Sequence, residues 1–131
     1  MTELEPTDER IAALLRDIGL DLHTRAPDDS VRAEIAAHLG AVQALLADGE
    51  PRLRWYEYPR EERDNRPTYR HLSTFSGRVN TVAPPMRIRS GTMPDGAPAL
   101  VGHVRLDRRY EGPPRAVHGG FVAGLLSLIH I

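Results

Sequence analysis

Two segments in the first half of the chain place hydrophobic residues at every third or fourth position. The repeating positions of the first segment, residues 8–22, are Ile11, Leu14, Leu15, Ile18 and Leu22. This period predicts an amphipathic helix whose apolar stripe packs against another surface. Thr7 is the expected N-cap of this helix, and Gly19 is expected to weaken or end it.

A second and clearer helix is predicted over residues 28–48. Asp28, Asp29 and Ser30 stand at its start, where acids and hydroxyls satisfy free amides and the helix dipole. Its apolar stripe consists of Val31, Ile35, Leu39, Val42, Leu45 and Leu46. Gly49, followed by Pro51, is expected to end it. We therefore interpret residues 1–50 as a helical N-terminal arm that lies against another surface.

Residues 51–72 form an irregular connection in which aromatic residues alternate with arginines. The residues concerned are Trp55, Tyr56, Tyr58 and Tyr69 with Arg52, Arg54, Arg60, Arg63, Arg66 and Arg70. In such a pattern the aromatic rings could stack on the bases of a nucleic acid while the arginines bind its phosphates. A solvated loop whose aromatics rest on the domain is the interpretation that we favour, and contact with the phosphates of a bound ligand is compatible with both.

From Ser73 onward the pattern becomes that of strands. Residues 86–90 and 99–106 alternate in polarity on either side of Pro94-Asp95-Gly96, a turn sequence. These two segments predict an antiparallel hairpin. Because Pro84-Pro85 cannot lie inside a sheet, residues 78–83 are expected at an edge or outside it.

Composition and charge narrow the function classes. The 131 residues are 40% hydrophobic and 27% charged, which suits one globular domain. The net charge of −1 divides into −7 over residues 1–50, +5 over 51–90 and +1 over 91–131. All 17 basic residues are arginine. The isoelectric point near 6.6 argues against a dedicated nucleic-acid binder.

Several classes of site and location are not expected. The absence of cysteine excludes disulfides and thiol catalysis. A metal site at His103, His118 and His130 is disfavoured, since no acidic ligand accompanies them and none are spaced i, i+4. No apolar run reaches the roughly 20 residues of a membrane span, and the N-terminus is acidic. We therefore expect a soluble, cytoplasmic protein with no metal, no membrane and no nucleic acid.

A loop and helix near the end of the chain contain the candidate chemistry. A Pro-rich loop, residues 110–117, leads to His118, and the apolar run that follows opens on Gly119 and Gly120. Glycines at a helix start let another group approach the backbone closely, and the first helical amides have no internal partner. They can therefore donate to an oxygen that gains negative charge during a reaction, with His118 beside them. The alternative is a buried histidine at a loop–helix junction, with the glycines there for packing.

The wider sequence resembles a known enzyme family. The matching strings, in order, are Ser76-Gly77-Arg78-Val79-Asn80, Ala83-Pro84-Pro85, Tyr110-Glu111-Gly112-Pro113-Pro114 and Val117-His118-Gly119-Gly120. Over roughly residues 73–126 they resemble the hotdog-fold acyl-CoA thioesterases, in the PaaI-like branch of the 4-hydroxybenzoyl-CoA thioesterase superfamily. The resemblance implies an α+β protein in which residues 73–131 are the N-terminal part of a hotdog domain. It also implies hydrolysis of acyl-CoA thioesters without metal or cofactor.

The family's functional residues map onto few positions here. The resemblance assigns the amide of Gly119 to polarising the thioester carbonyl, with His118 as its catalytic neighbour. Gly120 and Asn80 are the substrate-binding candidates, although Asn80 also fits an ordinary turn residue that holds its own backbone. The family carries a carboxylate nine residues after the histidine, and this sequence has Ser127 there. Glu111 could orient the imidazole, while Gly112 replaces an amide-bearing residue of some relatives.

Spacing predicts a homodimer, or a dimer of dimers. Gly119 and Ser127 lie about 12 Å apart along one helix, so two antiparallel helices from two subunits are needed to bring both positions to one carbonyl. Only two strands precede this helix, whereas a hotdog domain has five or six. We therefore expect the gene's reading frame to be truncated, with native residues ending at Leu126.

Two further hypotheses stay open. Since Ser127 does not replace a carboxylate, the chain could be a non-catalytic acyl-CoA or acyl-carrier binding module, or an inactive fragment. The acidic N-terminal helices could also bind a partner protein. The acyl group is not specified by the sequence.

Overall fold

The fold is mixed α+β. The computed structural model describes residues 6–51, 53–63 and 72–128. Within these ranges the chain forms helices and one two-stranded antiparallel sheet. It divides into two compact units, one within residues 1–24 and 66–131 and the other within residues 25–65.

Helix α1 spans Pro6–Thr24 and confirms the first predicted helix, with two more residues at each end. Proline suits the first turn of a helix, where its missing amide costs nothing, so Thr7 lies inside α1 and is not its N-cap. Gly19 does not end the helix, contrary to expectation. The C-terminal turn closes where the Thr24 hydroxyl donates to the carbonyl of Leu20 at 2.8 Å.

The face of α1 that is buried differs from the predicted one. Ala12 and Arg16 are 2% and 7% exposed, whereas the predicted stripe remains between 36% and 49% exposed. The exposed residues are Ile11, Leu14, Leu15, Ile18 and Leu22. The helix therefore packs within its unit through a narrow face of small residues around one arginine.

Helix α2 spans Asp29–Ala47 and confirms the second predicted helix. Asp28 is its N-cap, with a carboxylate oxygen that accepts from the amide of Val31 at 3.0 Å and from the hydroxyl of Ser30 at 2.7 Å. The helix stops as predicted, with Gly49 donating its amide to the carbonyl of Leu46. The same unit contains a 3-10 turn at Trp55–Glu57 and a single helical turn, α3, at Arg60–Arg63. Arg52, Arg66, Tyr69 and Arg70 lie outside the described residues.

The predicted hairpin is confirmed with shifted ends. Strand β1 spans Arg87–Thr92 and strand β2 spans Pro98–His103, paired antiparallel with Arg87 opposite His103 and Thr92 opposite Pro98. The turn forms at Pro94-Asp95-Gly96, where Gly96 has a φ of 88° that favours glycine. Leu100 is 78% exposed, so no described residue covers it on its face of β2.

Aromatic rings and two small residues form the core of the first unit. Tyr110 and Ala83 are buried, and Pro84 is among the fully buried side chains. The ring of Phe121 lies edge-on to Tyr110 at 4.7 Å and to Phe75 at 6.2 Å between centroids. These contacts hold the start of the last helix, α4 (Gly119–Ser127), against the loop that precedes the hairpin.

Candidate functional site

The first turn of α4 contains one amide for which the described part of the chain provides no acceptor. The amide of Gly120 donates to Nδ1 of His118 at 3.1 Å, and those of Phe121 and Val122 donate to the His118 carbonyl at 2.9 and 3.3 Å. The amide of Gly119 has no hydrogen-bond partner among the described residues. Gly119 is exposed, and no heavy atom lies within 4 Å of the place where a Cβ would stand. A free, accessible donor therefore lies at the positive end of the helix dipole.

His118 acts here as the N-cap of α4. Because Nδ1 accepts a hydrogen bond from Gly120, a neutral His118 ring carries its proton on Nε2. The backbone amide of His118 also donates to the carbonyl of Tyr110 at 2.8 Å. The histidine thus fixes the loop–helix junction, and Nε2–H is the donor that it can offer to a bound molecule.

The loop before His118 is closed by its own backbone. Glu111 and Val117 form an isolated antiparallel bridge, and the amide of Gly112 donates to the carbonyl of Ala116 at 2.9 Å. A Cβ at Gly112 would lie 2.9 Å from Cα of His118, so a side chain at this position would force the two backbones apart. This close approach favours glycine at position 112.

The tip of this loop is a tight turn with an arginine in an unusual conformation. The amide of Ala116 donates to the carbonyl of Pro113 at 2.9 Å, and Arg115 has a φ of 65°. Proline at the second position and a positive φ at the third are features of a type II turn, which usually has glycine at the third. The Glu111 carboxylate accepts from the amide of Arg115 at 2.8 Å. It therefore holds this turn and is not bonded to the imidazole of His118.

Asn80 uses its side chain within its own loop. Its amide nitrogen donates to the carbonyl of Leu72 at 2.9 Å, and its Oδ1 accepts from the amide of Val82, also at 2.9 Å. The Tyr110 hydroxyl donates to the Val82 carbonyl at 3.3 Å. Tyr110 therefore connects the Asn80 loop to His118, and Asn80 occupies the turn-holding position that the sequence allowed as an alternative.

A buried arginine, which the sequence analysis did not single out, fixes the same loop. The guanidinium of Arg16 donates to three backbone carbonyls, those of Ala83 at 3.2 Å, Arg78 at 2.6 Å and Asn80 at 3.1 Å. Glu9 adds an ion pair with Arg78 at 2.6 Å. The small residues Ala12 and Gly19 lie one turn to either side of Arg16 on the same helix face. This spacing is the feature of the sequence that could have indicated a buried arginine.

A second arginine connects α1 to the 3-10 turn at Arg108–Tyr110. The Arg109 guanidinium binds the Asp107 carboxylate through two hydrogen bonds of 2.9 and 2.6 Å and donates to the carbonyl of Arg16 at 2.7 Å. The hydrogen bond from Arg109 keeps the pKa of the Asp107 carboxyl below its ordinary value. Burial raises the pKa of the Tyr110 phenol, which therefore stays protonated as a donor.

Ser127 does not supply acid–base chemistry in this arrangement. Its hydroxyl donates to the carbonyl of Gly124, one turn earlier in α4, at 2.6 Å. The hydroxyl is thus engaged by its own helix. Within the described residues, the site combines a free amide at Gly119 with a capping histidine but has no carboxylate at position 127.

Among the described residues, no group of three or more His, Asp or Glu side chains is placed to hold a metal ion, and His130 lies outside them. None of the described helices combines the length and apolar character needed to cross a membrane.

Comparisons with known proteins gave no relative. No family model, no curated protein and no solved structure matches the chain.

Proposed function

We propose that the chain is part of a hotdog-type acyl-CoA thioesterase in which the Gly119 amide polarises the thioester carbonyl. The observation that supports this is the set of hydrogen bonds that the first backbone amides of α4 make. The next three amides have acceptors on His118, while the amide of Gly119 points to none of the described residues. A pre-positioned donor that has no protein partner is suited to a ligand oxygen.

The physical advantage of such a donor is greatest in the transition state. The carbonyl oxygen of a thioester gains negative charge when a nucleophile adds, and a fixed amide at a helix N-terminus stabilises that charge without reorganisation. His118 holds the amide in place through its cap on Gly120 and can offer Nε2–H to the same oxygen. No metal or cofactor is required by this chemistry.

The proposal includes a homodimer. Attack on the carbonyl requires a nucleophile or an activated water. In the family that the sequence resembles, a carboxylate at the position of Ser127 has this role, and that position lies too far along α4 to serve the Gly119 of its own helix. A second α4 packed antiparallel would bring the two positions together. Val122 and Leu126 of α4 are exposed and supply apolar surface for such a contact.

A second candidate is a hotdog module that binds acyl-CoA or acyl carrier protein without hydrolysing it. The hydrogen bond between the Ser127 hydroxyl and the Gly124 carbonyl favours this alternative, because a serine engaged in this way provides no base. Both candidates use the Gly119 amide to bind the carbonyl, and they differ in whether thiol is released.

Replacing Gly119 by proline tests the role of the amide. Proline removes the N–H but suits the first position of a helix, and the backbone of His118, at φ −59° and ψ 127°, is one that a following proline accepts. Gly119→Ala is the matched control because it keeps the amide and its Cβ meets no atom within 4 Å. Release of CoA thiol from acetyl-, octanoyl- and benzoyl-CoA is the measurement.

We expect G119P to lower kcat/KM by about 10²- to 10³-fold, the usual cost of one lost oxyanion donor, and G119A to retain activity within about threefold. Circular dichroism of both variants checks that α4 still forms. Equal activity of G119P and the parent chain would refute the amide's role. Saturable binding of an acyl-CoA without thiol release, weakened by G119P only, would identify the binding module instead.

A further inference from the structure

An open groove lies beside the loop that leads to His118. Its volume is about 410 Å³, in the range of pockets that hold small organic ligands. The residues that line it are Leu106, Asp107, Arg108, Tyr110, Glu111, Arg115, Ala116 and Val117. Gly119 is not among them, so the groove is separate from the free amide of α4.

The acidic groups of the groove already have donors. Arg109 binds both carboxylate oxygens of Asp107, at 2.9 and 2.6 Å. The Glu111 carboxylate accepts from the backbone amide of Arg115 at 2.8 Å. Arg109 neutralises Asp107, and Glu111 is engaged in the turn. The carboxylates of the groove are therefore poorly suited to binding a cation.

The two arginines that line the groove have no such partners in the described part of the chain. The guanidinium groups of Arg108 and Arg115 make no hydrogen bond or ion pair with any described residue, and both residues are exposed. Two unpaired guanidinium groups on one groove offer up to ten N–H donors and no acceptor. The complementary ligand is an anion with several oxygens.

Apolar surface accompanies these donors. Leu106, Ala116 and Val117 line the groove together with the ring of Tyr110, whose hydroxyl is already committed to the Val82 carbonyl. A ligand that uses the whole groove would therefore join an anionic group to an apolar or planar body.

We propose that this groove binds a small organic phosphate, with Arg108 and Arg115 holding the phosphate oxygens and the apolar residues contacting the body. Guanidinium groups match phosphate oxygens in paired, charge-assisted hydrogen bonds. Backbone hydrogen bonds close the loop and fix the main chain of Arg115 before binding, so only its side chain has to be ordered by the ligand. The inference goes beyond thioester hydrolysis: Arg108 and Arg115 have no role in the proposed polarisation of the carbonyl, and their binding of a phosphate does not require that a thioester be cleaved.

Binding of pyrophosphate and of phenyl phosphate to the purified chain tests the proposal, by isothermal titration calorimetry at fixed ionic strength. The variants are Arg108→Gln and Arg115→Gly, since glycine accepts the positive φ at position 115 and cannot fail through turn strain. Arg89→Gln is the matched control. It removes one exposed, unpaired arginine from β1, in the same unit but outside the groove.

We expect R108Q and R115G each to weaken binding of both probes about tenfold, the equivalent of one charge-assisted contact, and R89Q to change it less than twofold. Phenyl phosphate should bind at least as tightly as inorganic phosphate, titrated in the same way as a third probe, because its ring can contact the apolar residues. No saturable binding, or an equal loss in R89Q, would overturn the proposal. Either result would leave the thiol-release test of Gly119 unaffected.

Discussion

At the scale of single residues, Arg16 has the most unusual environment among the described side chains. It is 7% exposed, and its guanidinium is satisfied by three carbonyls rather than by a carboxylate. Burying a charge is costly unless its donors are all used, and the planar fork of arginine can reach several acceptors at once. Arg16 therefore orders the 78–83 segment while α1 provides a rigid base.

Replacing Arg16 by methionine should destabilise the chain by about 3 kcal/mol, because methionine fills a similar space but leaves buried carbonyls without donors. Arg16→Lys should recover only part of the loss, since an ammonium cannot fork between the acceptors. Arg10→Met, at an exposed position of the same helix, should cost under about 0.5 kcal/mol. Urea unfolding followed by circular dichroism measures all three. Equal effects of R16M and R10M would contradict this account.

The Asp107–Arg109 pair predicts a defined pH dependence. Because the pKa of Asp107 is lower in the folded chain than in the unfolded one, the unfolded chain binds the proton more readily, and the pair stabilises the fold at neutral pH. Asp107→Asn should cost roughly 1 kcal/mol at pH 7, a modest value because the pair is partly exposed.

The stability difference between the parent chain and D107N should shrink as the pH falls below about 3.9, the ordinary pKa of aspartate, and vanish once the folded carboxyl is protonated. Urea unfolding from pH 2 to pH 7 measures this. Asp95→Asn is the control, because its side-chain oxygen still accepts from the amide of Ala97, as Asp95 does at 3.0 Å. A difference that persisted at pH 2 would mean that Asp107 acts through packing alone.

At the scale of elements, close backbone approaches decide where glycine is required. Val101 of β2 lies over Gly91 of β1, where a Cβ would be 2.6 Å from its Cγ2 atom. Gly124 of α4 faces the ring of Phe75, with a Cβ position 2.1 Å from ring carbons. Gly40 in α2, by contrast, has no atom within 4 Å of its Cβ position. Similar glycines in two helices therefore have different roles.

Alanine substitutions at Gly124 and Gly40 should change stability in opposite directions. Gly124→Ala should cost about 1–3 kcal/mol, because the methyl group would displace the Phe75 ring from α4. Gly40→Ala should stabilise α2 by about 0.5–1 kcal/mol, since alanine restricts the unfolded chain and favours the helix. Thermal unfolding by circular dichroism at 222 nm reports both. A stabilised G124A would show that Phe75 does not pack there.

At the scale of the whole molecule, both compact units carry exposed apolar side chains among the described residues. The leucines and isoleucines of the α1 stripe are exposed, and other elements also have exposed hydrophobic residues. Leu45 and Leu46 of α2 are 81% and 72% exposed, and Leu100 of β2 is similarly open. Exposed apolar surface of this extent is typical of interaction sites and of association between copies. It agrees with the homodimer included in the proposed function.

Local rules at the element boundaries made part of the fold predictable. The N-cap at Asp28, the stop at Gly49 and the turn at Pro94-Asp95-Gly96 follow from hydrogen bonds between residues a few positions apart. The opening of α4 on Gly119 was predictable for the same reason. A free first amide was also predictable, because the first amides of a helix have no internal partner. The acceptors on His118 that the next three amides use became known only from the structure.

The sequence by itself determined the helices, the hairpin and the loop–helix junction at His118, since these depend on periodicity, caps and turns. Tertiary structure decided which face of α1 is buried, that Arg16 binds the 78–83 segment, and that Asn80 and Glu111 hold their own turns. The physical reason is that hydrophobic periodicity marks a face able to be buried but does not specify a partner surface. Ala12 and Arg16 are buried because small residues allow close approach and a guanidinium satisfies carbonyls that only folding brings together.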